Sequence, residues 1–260
     1  MKLTYEISEL VPYINWIYFY YAWQLRDAEV QQRQRKDAEA VLAELNGKYQ
    51  VYALFDLLEA NADGDDIMAE GHRIPLLRQQ SGDCLCLSDF IRPVSSGVKD
   101  RIGVFATSVD HGLERDFDAD PYMKMMVQLL ADRLAEAAAE KMHESVRRTY
   151  WGYAPDEQLS IDELHAERFA GIRPAIGYPS LPDTSVNFVL DEMIDLKQIG
   201  IRLTESGAMK PHASVSGLMI SLPQAHYFSI GRIGHDQLAD YAKRRGLPVE
   251  VVRKFLSSNL

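Results

Sequence analysis

The residues best suited to chemistry are Arg173 and Tyr178, and both fall in one run: Gly171-Ile172-Arg173-Pro174-Ala175-Ile176-Gly177-Tyr178-Pro179-Ser180-Leu181-Pro182-Asp183. Three prolines and two glycines in thirteen residues exclude a helix interior or a central strand. The prolines fix φ and remove backbone donors. The glycines permit φ > 0 and let a ligand approach the backbone closely. The run therefore reads as a stiff, folded-back loop. Arg presents a planar fork of donors suited to a carboxylate or phosphate, and Tyr adds a flat apolar face and one hydroxyl. A rigid loop bearing those groups is a candidate small-molecule site; the competing reading is a structural Pro/Gly connector with a solvated Arg.

Composition narrows the classes. The 260 residues suffice for one large core or two small ones, and 47% apolar with 25% charged residues is ordinary for a soluble globular protein. A net charge of −10 argues against nucleic acid as the main partner, because phosphate binding needs a basic footprint. The two cysteines, Cys84 and Cys86, form a C-x-C pair in an expected strand, on one face of it. They read as two buried thiols in a reduced cytoplasm rather than a disulfide framework or a zinc site. Met1–Leu10 has no signal-peptide character, and the apolar run from Tyr13 to Trp23 is too short to cross a bilayer. A cytoplasmic location with no membrane contact is the expectation.

Several common sites are missing. No G-x-G-x-x-G follows a strand, no P-loop or G-x-S-x-G elbow is present, and the seven His residues show no metal-binding spacing. The D-x-H-x-x-G run of cobalamin-binding modules is also absent, and Asp110-His111-Gly112 is only an echo of it.

The elements that must position the loop can be read from periodicity. Seven aromatics crowd residues 13–23 and read mostly as core anchors. Ala38, Val41, Leu42 and Leu45 mark a helix over 28–46 closed by Gly47. Strands are expected at 49–58, 66–70, 73–78, 84–91 and 101–108, antiparallel because no helices separate them. The longest helix, 121–149, carries an apolar stripe from Met123 to Met142. Asp132, Glu136 and His143 share a neighbouring face of it, either solvated or turned towards a ligand. A short helix near 161–169 precedes the loop, and Asp183 or Thr184 caps a helix running to Gln198, stopped by Gly200. Strands near 201–206, 213–222 and 226–233 follow. The chain ends in a helix pair, with Gly246 as a stop and Pro248 at a helix start. The fold expected is α+β: a single domain over 1–260 with a twisted, largely antiparallel sheet flanked by helices.

The loop pattern R-P-x-x-G-Y-P-x-x-P-D resembles the activation domain of cobalamin (vitamin B12)-dependent methionine synthase. The resemblance extends in order through Asn61–Ile67 (NADGDDI), Leu77–Gln80 (LRQQ), Leu87–Phe90 (LSDF), Asp132–Ala137 (DRLAEA), Trp151–Pro155 (WGYAP), Leu203–Met209 (LTESGAM), Ala213–Gly217 (ASVSG) and Asp240–Gly246 (DYAKRRG). It covers nearly the whole chain, more densely after residue 120. What it implies is a reactivation module for a methyltransferase of methionine biosynthesis. Such a module binds S-adenosylmethionine and supports reductive methylation of cob(II)alamin, with an electron from flavodoxin or a similar donor. The implied ligand residues are Asn15, Arg173, Pro174, Ala175, Gly177, Tyr178, Tyr227 and Phe228, with Arg173 on the carboxylate and Asn15, helped by Glu205 or Glu136, on the ammonium. Asp132 and Glu136 are implied to face the corrin. No acid, base or nucleophile is implied.

The chain departs from the family pattern at three places: Asn15 where the family carries Asp, Phe228 where a second Tyr is frequent, and Thr184 where a His often stands. With no cobalamin-binding signature of its own, the chain is expected to serve a separate cobalamin-binding methionine synthase lacking this domain. The alternatives are a non-catalytic S-adenosylmethionine-sensing or corrinoid-protein docking module, or a reactivator of another corrinoid methyltransferase.

Overall fold

The computed structural model describes residues 1–260. The chain opens with strand β1 (Lys2–Glu6), followed by the short helix α1 (Ile7–Leu10), α2 (Trp16–Ala22) and α3 (Ala28–Leu45). Next come β2 (Gln50–Asp63), β3 (Asp66–Ala69), β4 (His72–Pro75) and β5 (Asp100–Val109), then α4 (Gly112–Arg115) and the long α5 (Pro121–Ser145). The second half holds α6 (Ile161–His165), α7 (Val186–Ile194), β6 (Arg202–Leu203), β7 (Met209–Lys210), β8 (Ser214–Met219), α8 (His235–Arg245) and α9 (Val249–Phe255).

Six strands form one antiparallel sheet in the order β4-β3-β2-β5-β8, with β1 also paired to β2; β6 and β7 form a separate two-stranded ribbon. Strand alternation explains how this sheet builds two cores. In β2, Val51, Ala53 and Phe55 point to one face and Leu54, Leu58, Ala60 and Ala62 to the other. In β5, Phe105 and Val109 share the first face while Ile102, Val104 and Ala106 share the second. The first face is covered by α1, α2, α3 and α5, the second by α7 and the segments around it. Because both faces are covered, β5 is buried from Ile102 to Val109, polar residues included. Thr107 donates its hydroxyl to the Ala135 carbonyl at 2.8 Å, which ties α5 to the sheet, and Ser108 donates to the Ile199 carbonyl at 2.6 Å.

The long helix is capped by Asp120, whose carboxylate accepts from the N–H groups of Tyr122 and Met123, with Pro121 at the first helical position. It continues as a π turn over Val146–Tyr150. The buried Arg147 forks onto Glu157, with Nε 3.0 and 2.9 Å from its two oxygens and Nη2 2.6 Å from one of them. That pair fixes the turn beginning at Trp151.

Local chemistry explains where the expected elements differ. Residues 84–91 are not a strand: Asp89 accepts from the Cys86 N–H and from two arms of Arg78, so Leu87–Phe90 closes as a 3-10 turn. Cys84 sits at φ +53 and is exposed while Cys86 is buried, so the two thiols neither share a strand face nor a buried setting. Residues 226–233 are irregular, their backbone groups taken by other loops: Ile230 N–H donates to the Pro179 carbonyl and Ile233 N–H to that of Asn259. The helix expected to reach Gln198 ends at Ile194, where Asp195 turns to φ +50 before a 3-10 turn up to Gly200. Its N-cap residue is Ser185, whose N–H donates to the buried Asp183 carboxylate at 2.8 Å, so Asp183 braces the helix start from two residues before it. The first strand, β1, has no counterpart among the expected elements. No helix is long and apolar enough to cross a membrane.

Candidate functional site

The Pro/Gly-rich run does not fold back on itself alone. It lies along the free edge of β8, where Ile172 exchanges both backbone hydrogen bonds with Ile220 at 2.9 Å. Leu218 N–H then donates to the Pro174 carbonyl at 3.0 Å, and Ile176 N–H donates to the Ser216 carbonyl at 2.9 Å. Pro174 has no N–H to return to Leu218, so the pairing at this position rests on its carbonyl alone. The approach is close: a Cβ on Gly217 would stand 2.2 Å from the Pro174 carbonyl oxygen. Gly177, at φ +89, then turns the chain, and its N–H donates to the Leu181 carbonyl at 2.8 Å. Tyr178, 55% exposed, projects from that turn.

Several elements meet around a cleft of about 340 Å³. The N-terminal aromatic segment contributes Tyr13, Asn15 and Tyr18, and the loop contributes Arg173, Ala175 and Tyr178. From α5 come Arg133, Glu136 and Glu140, spaced three and four apart and so on one stripe of the helix. Small side chains at Ala137 and Ala139 leave room between them. His165 and Glu167, at and just after the end of α6, complete the polar lining. His165 is held by the Tyr13 carbonyl, 3.0 Å from its Nε2, and α6 itself starts from a capping box between Ser160 and Glu163.

The electrostatics are specific. Arg133 donates to Glu136 Oε2 at 2.6 Å, and its guanidinium lies 5.6 Å from the Tyr18 ring. Arg173 pairs through Nη2 with Glu140 Oε1, and its backbone N–H donates to the Tyr227 hydroxyl at 2.9 Å. Arg173 Nη1 and Glu140 Oε2 are both buried with no partner. The lining holds three carboxylates against two guanidiniums, so its formal charge favours a cation. Burial raises the carboxyls of Glu136 and Glu167 above the usual range, the neighbouring Glu140 charge reinforcing the effect on both. Burial likewise pushes the Tyr227 phenol up to about 12, so it stays protonated at neutral pH.

A second groove of about 220 Å³ adjoins the cleft and shares Arg133, Glu136 and Tyr178 with it. Asp132 lies there, its Oδ1 3.7 Å from Nδ1 of His212, with its carboxyl raised by burial.

Asn15, Glu136, Arg173, Ala175 and Tyr178 are thus brought together. Asn15 also caps α2, its Oδ1 accepting the Ile17 N–H at 3.2 Å. Pro174 lies buried behind the wall, and Gly177 and Tyr227 shape the loop without lining the cleft. Phe228 is not brought there: its ring packs against Phe90, centroids 6.2 Å apart, on the opposite core. Glu205 is exposed in the turn before β7. His143 is fully buried beneath the cleft, its Nε2 3.3 Å from the Tyr153 hydroxyl. Glu140, Glu167 and Arg133 escaped the sequence reading. Glu140 had one signal, since it falls four residues after Glu136 on the same helical stripe.

The family described as vitamin B12 dependent methionine synthase, activation domain, matches residues 6–246. Among solved structures, a crystal structure of the MetH reactivation domain bound to AdoHcy superposes with a TM-score of 0.95 at 38% sequence identity. That match covers 100% of this chain and 90% of that one.

Proposed function

We propose a function from one premise: the chain belongs to the activation-domain family of vitamin B12-dependent methionine synthase, a methyltransferase. The cleft binds S-adenosylmethionine and presents its methyl group to the cobalamin of a partner methionine synthase, which restores a corrinoid that has lapsed to cob(II)alamin. The observation that carries this reading is Arg173, one arm of its fork unpaired, set in a cleft whose other charged groups are mostly carboxylates.

S-adenosylmethionine matches that arrangement group by group. Its carboxylate suits the free arm of Arg173. Its ammonium and sulfonium give it a net positive charge, which the surplus carboxylate accommodates. Tyr13, Tyr18 and Tyr178 supply aromatic faces for the adenosyl portion and for the cationic sulfur. The AdoHcy in the related structure is the same molecule without the methyl, which supports the choice of ligand. Asp132 and Glu136 face the adjoining groove, where the corrin or its displaced ligand is placed in this reading.

The partner's corrinoid supplies the redox chemistry: one electron from flavodoxin or a similar donor takes cobalt(II) to cobalt(I), and the methyl passes from sulfur to cobalt, leaving the thioether. The chain's own contribution is position. Holding the methyl donor in a fixed cleft turns a bimolecular encounter into a local one, and no proton has to move, so no acid or base is called for. A second reading, an S-adenosylmethionine-sensing or corrinoid-docking module without methyl transfer, draws support from Asn15, which is uncharged and already committed to capping α2.

Calorimetric titration of S-adenosylmethionine into the wild-type protein and an Arg173→Ala variant tests the ligand assignment. Hydrogen bonds to charged groups contribute about 1.5–3 kcal/mol, so the variant should bind roughly ten- to a hundredfold more weakly. Equal affinity in both proteins, or no binding in either, would contradict it.

A further inference from the structure

Resting on the S-adenosylmethionine reading, we infer that Glu140 receives the ammonium group of the ligand, so that Glu140 and Arg173 together read the two ends of one amino-acid zwitterion. The pair is built for this. Arg173 and Glu140 touch through one atom each, and each keeps a second polar atom buried and unpaired: a donor, Nη1, on the cation and an acceptor, Oε2, on the anion. Their side chains are only 12% and 20% exposed, so bulk water does little to satisfy those atoms. An α-amino acid carries a carboxylate and an ammonium on one carbon. It therefore offers an acceptor and a donor at the separation of two adjoining side-chain heads.

The other candidates are less suited. Asn15 lines the cleft, but its Oδ1 already accepts the Ile17 N–H and it has no charge. A charge-assisted hydrogen bond is about twice as strong as a neutral one. Glu136 is engaged by Arg133 at 2.6 Å. Glu167 lines the cleft, but the carboxylate bonded to Arg173 is that of Glu140. Since ammonium and carboxylate share a carbon, the anion that reads one must adjoin the cation that reads the other. Glu140 meets that condition and restores the negative charge that Asn15 lacks.

The test uses two ligands. S-adenosylmethionine carries the amino-acid end; 5′-methylthioadenosine keeps the nucleoside and sulfur and lacks it. Both are titrated into the wild-type protein and into Glu140→Gln, which preserves shape and can still accept from Arg173. Glu140→Gln should weaken S-adenosylmethionine roughly ten- to a hundredfold and shift 5′-methylthioadenosine by no more than about twofold. Asn15→Ala should cost less than Glu140→Gln. Equal weakening of both ligands would make Glu140 a support of the cleft's shape and overturn the inference, as would unchanged S-adenosylmethionine affinity. Wild-type protein that binds neither ligand would overturn the S-adenosylmethionine reading itself and this inference with it.

Discussion

Arg173 stands between two polar layers: it lines the cleft and pairs with Glu140, while its guanidinium charge reaches inward to His143. His143 is completely buried, and burial together with the Arg173 and Arg147 charges holds its imidazole well below the ordinary value. A histidine kept neutral by the fold has a depressed folded-state pKa, so its contribution to stability is complete above the unfolded value of about 6.5 and drains away as pH falls below it. The slope approaches about 1.4 kcal/mol per pH unit for one proton. Urea unfolding at about pH 7.5 and about pH 5.5 should show the wild type losing about 1 kcal/mol that His143→Gln does not lose. The same loss in both proteins would show that other groups carry the acid sensitivity. At this scale the sequence marked Arg173, Tyr178 and Glu136, all of which line the cleft, the first two through the proline-locked motif and the third through the family resemblance. It did not reveal Glu140 or Glu167, whose roles depend on which face of α5 and which end of α6 the tertiary packing turns to the cleft. Phe228 and Glu205, also expected at the site, do not line the cleft: Phe228 packs on Phe90 and Glu205 lies in an exposed turn.

The element on which the site depends is the loop laid along β8. Its proline and glycine density was legible as stiffness, but not its docking, because pairing with β8 is set by residues some forty positions downstream. Gly217 is the point of closest approach, and any side chain there must displace the Pro174 carbonyl. Gly217→Ala should cost roughly 1–3 kcal/mol of stability through overpacking and lower the melting temperature by several degrees. It should also weaken S-adenosylmethionine by at least about tenfold, since Arg173 is carried on the displaced segment. Calorimetry of both properties checks this; a destabilised variant that binds normally would show that the loop can shift without moving Arg173. The strands that sequence periodicity located well, β2, β3 and β5, are those whose alternate residues fill the two cores. Where side chains such as Asp89 satisfy the backbone locally, as at 84–91, hydrophobic pattern alone suggested a strand that does not form.

At the scale of the whole molecule, the two cores and a third cluster around α8 and α9 hold the loop from both sides. Tyr241 on α8 donates its buried hydroxyl to Asp183 at 2.8 Å, and Arg245 donates to the Ser185 carbonyl at 3.0 Å, which pins the end of the loop. On the opposite side, Thr107 anchors α5 through the Ala135 carbonyl. The α+β class with an antiparallel sheet was legible because successive strands lacked intervening helices, and the ordered family motifs span most of the chain. The cleft itself was not legible, because it exists only where residues 13–18, 133–140, 165–167 and 173–178 meet beside Val215. The measurement that bears most directly on function follows the methyl group. The purified chain is mixed with a cob(II)alamin-bearing methionine synthase lacking this module, reduced flavodoxin and S-adenosylmethionine labelled at the methyl carbon. Label should appear in methylcobalamin only when the reductant and this chain are both present, and it should be lost with Arg173→Ala. Intact S-adenosylmethionine binding with no labelled methylcobalamin would contradict methyl delivery and leave a sensing or docking role.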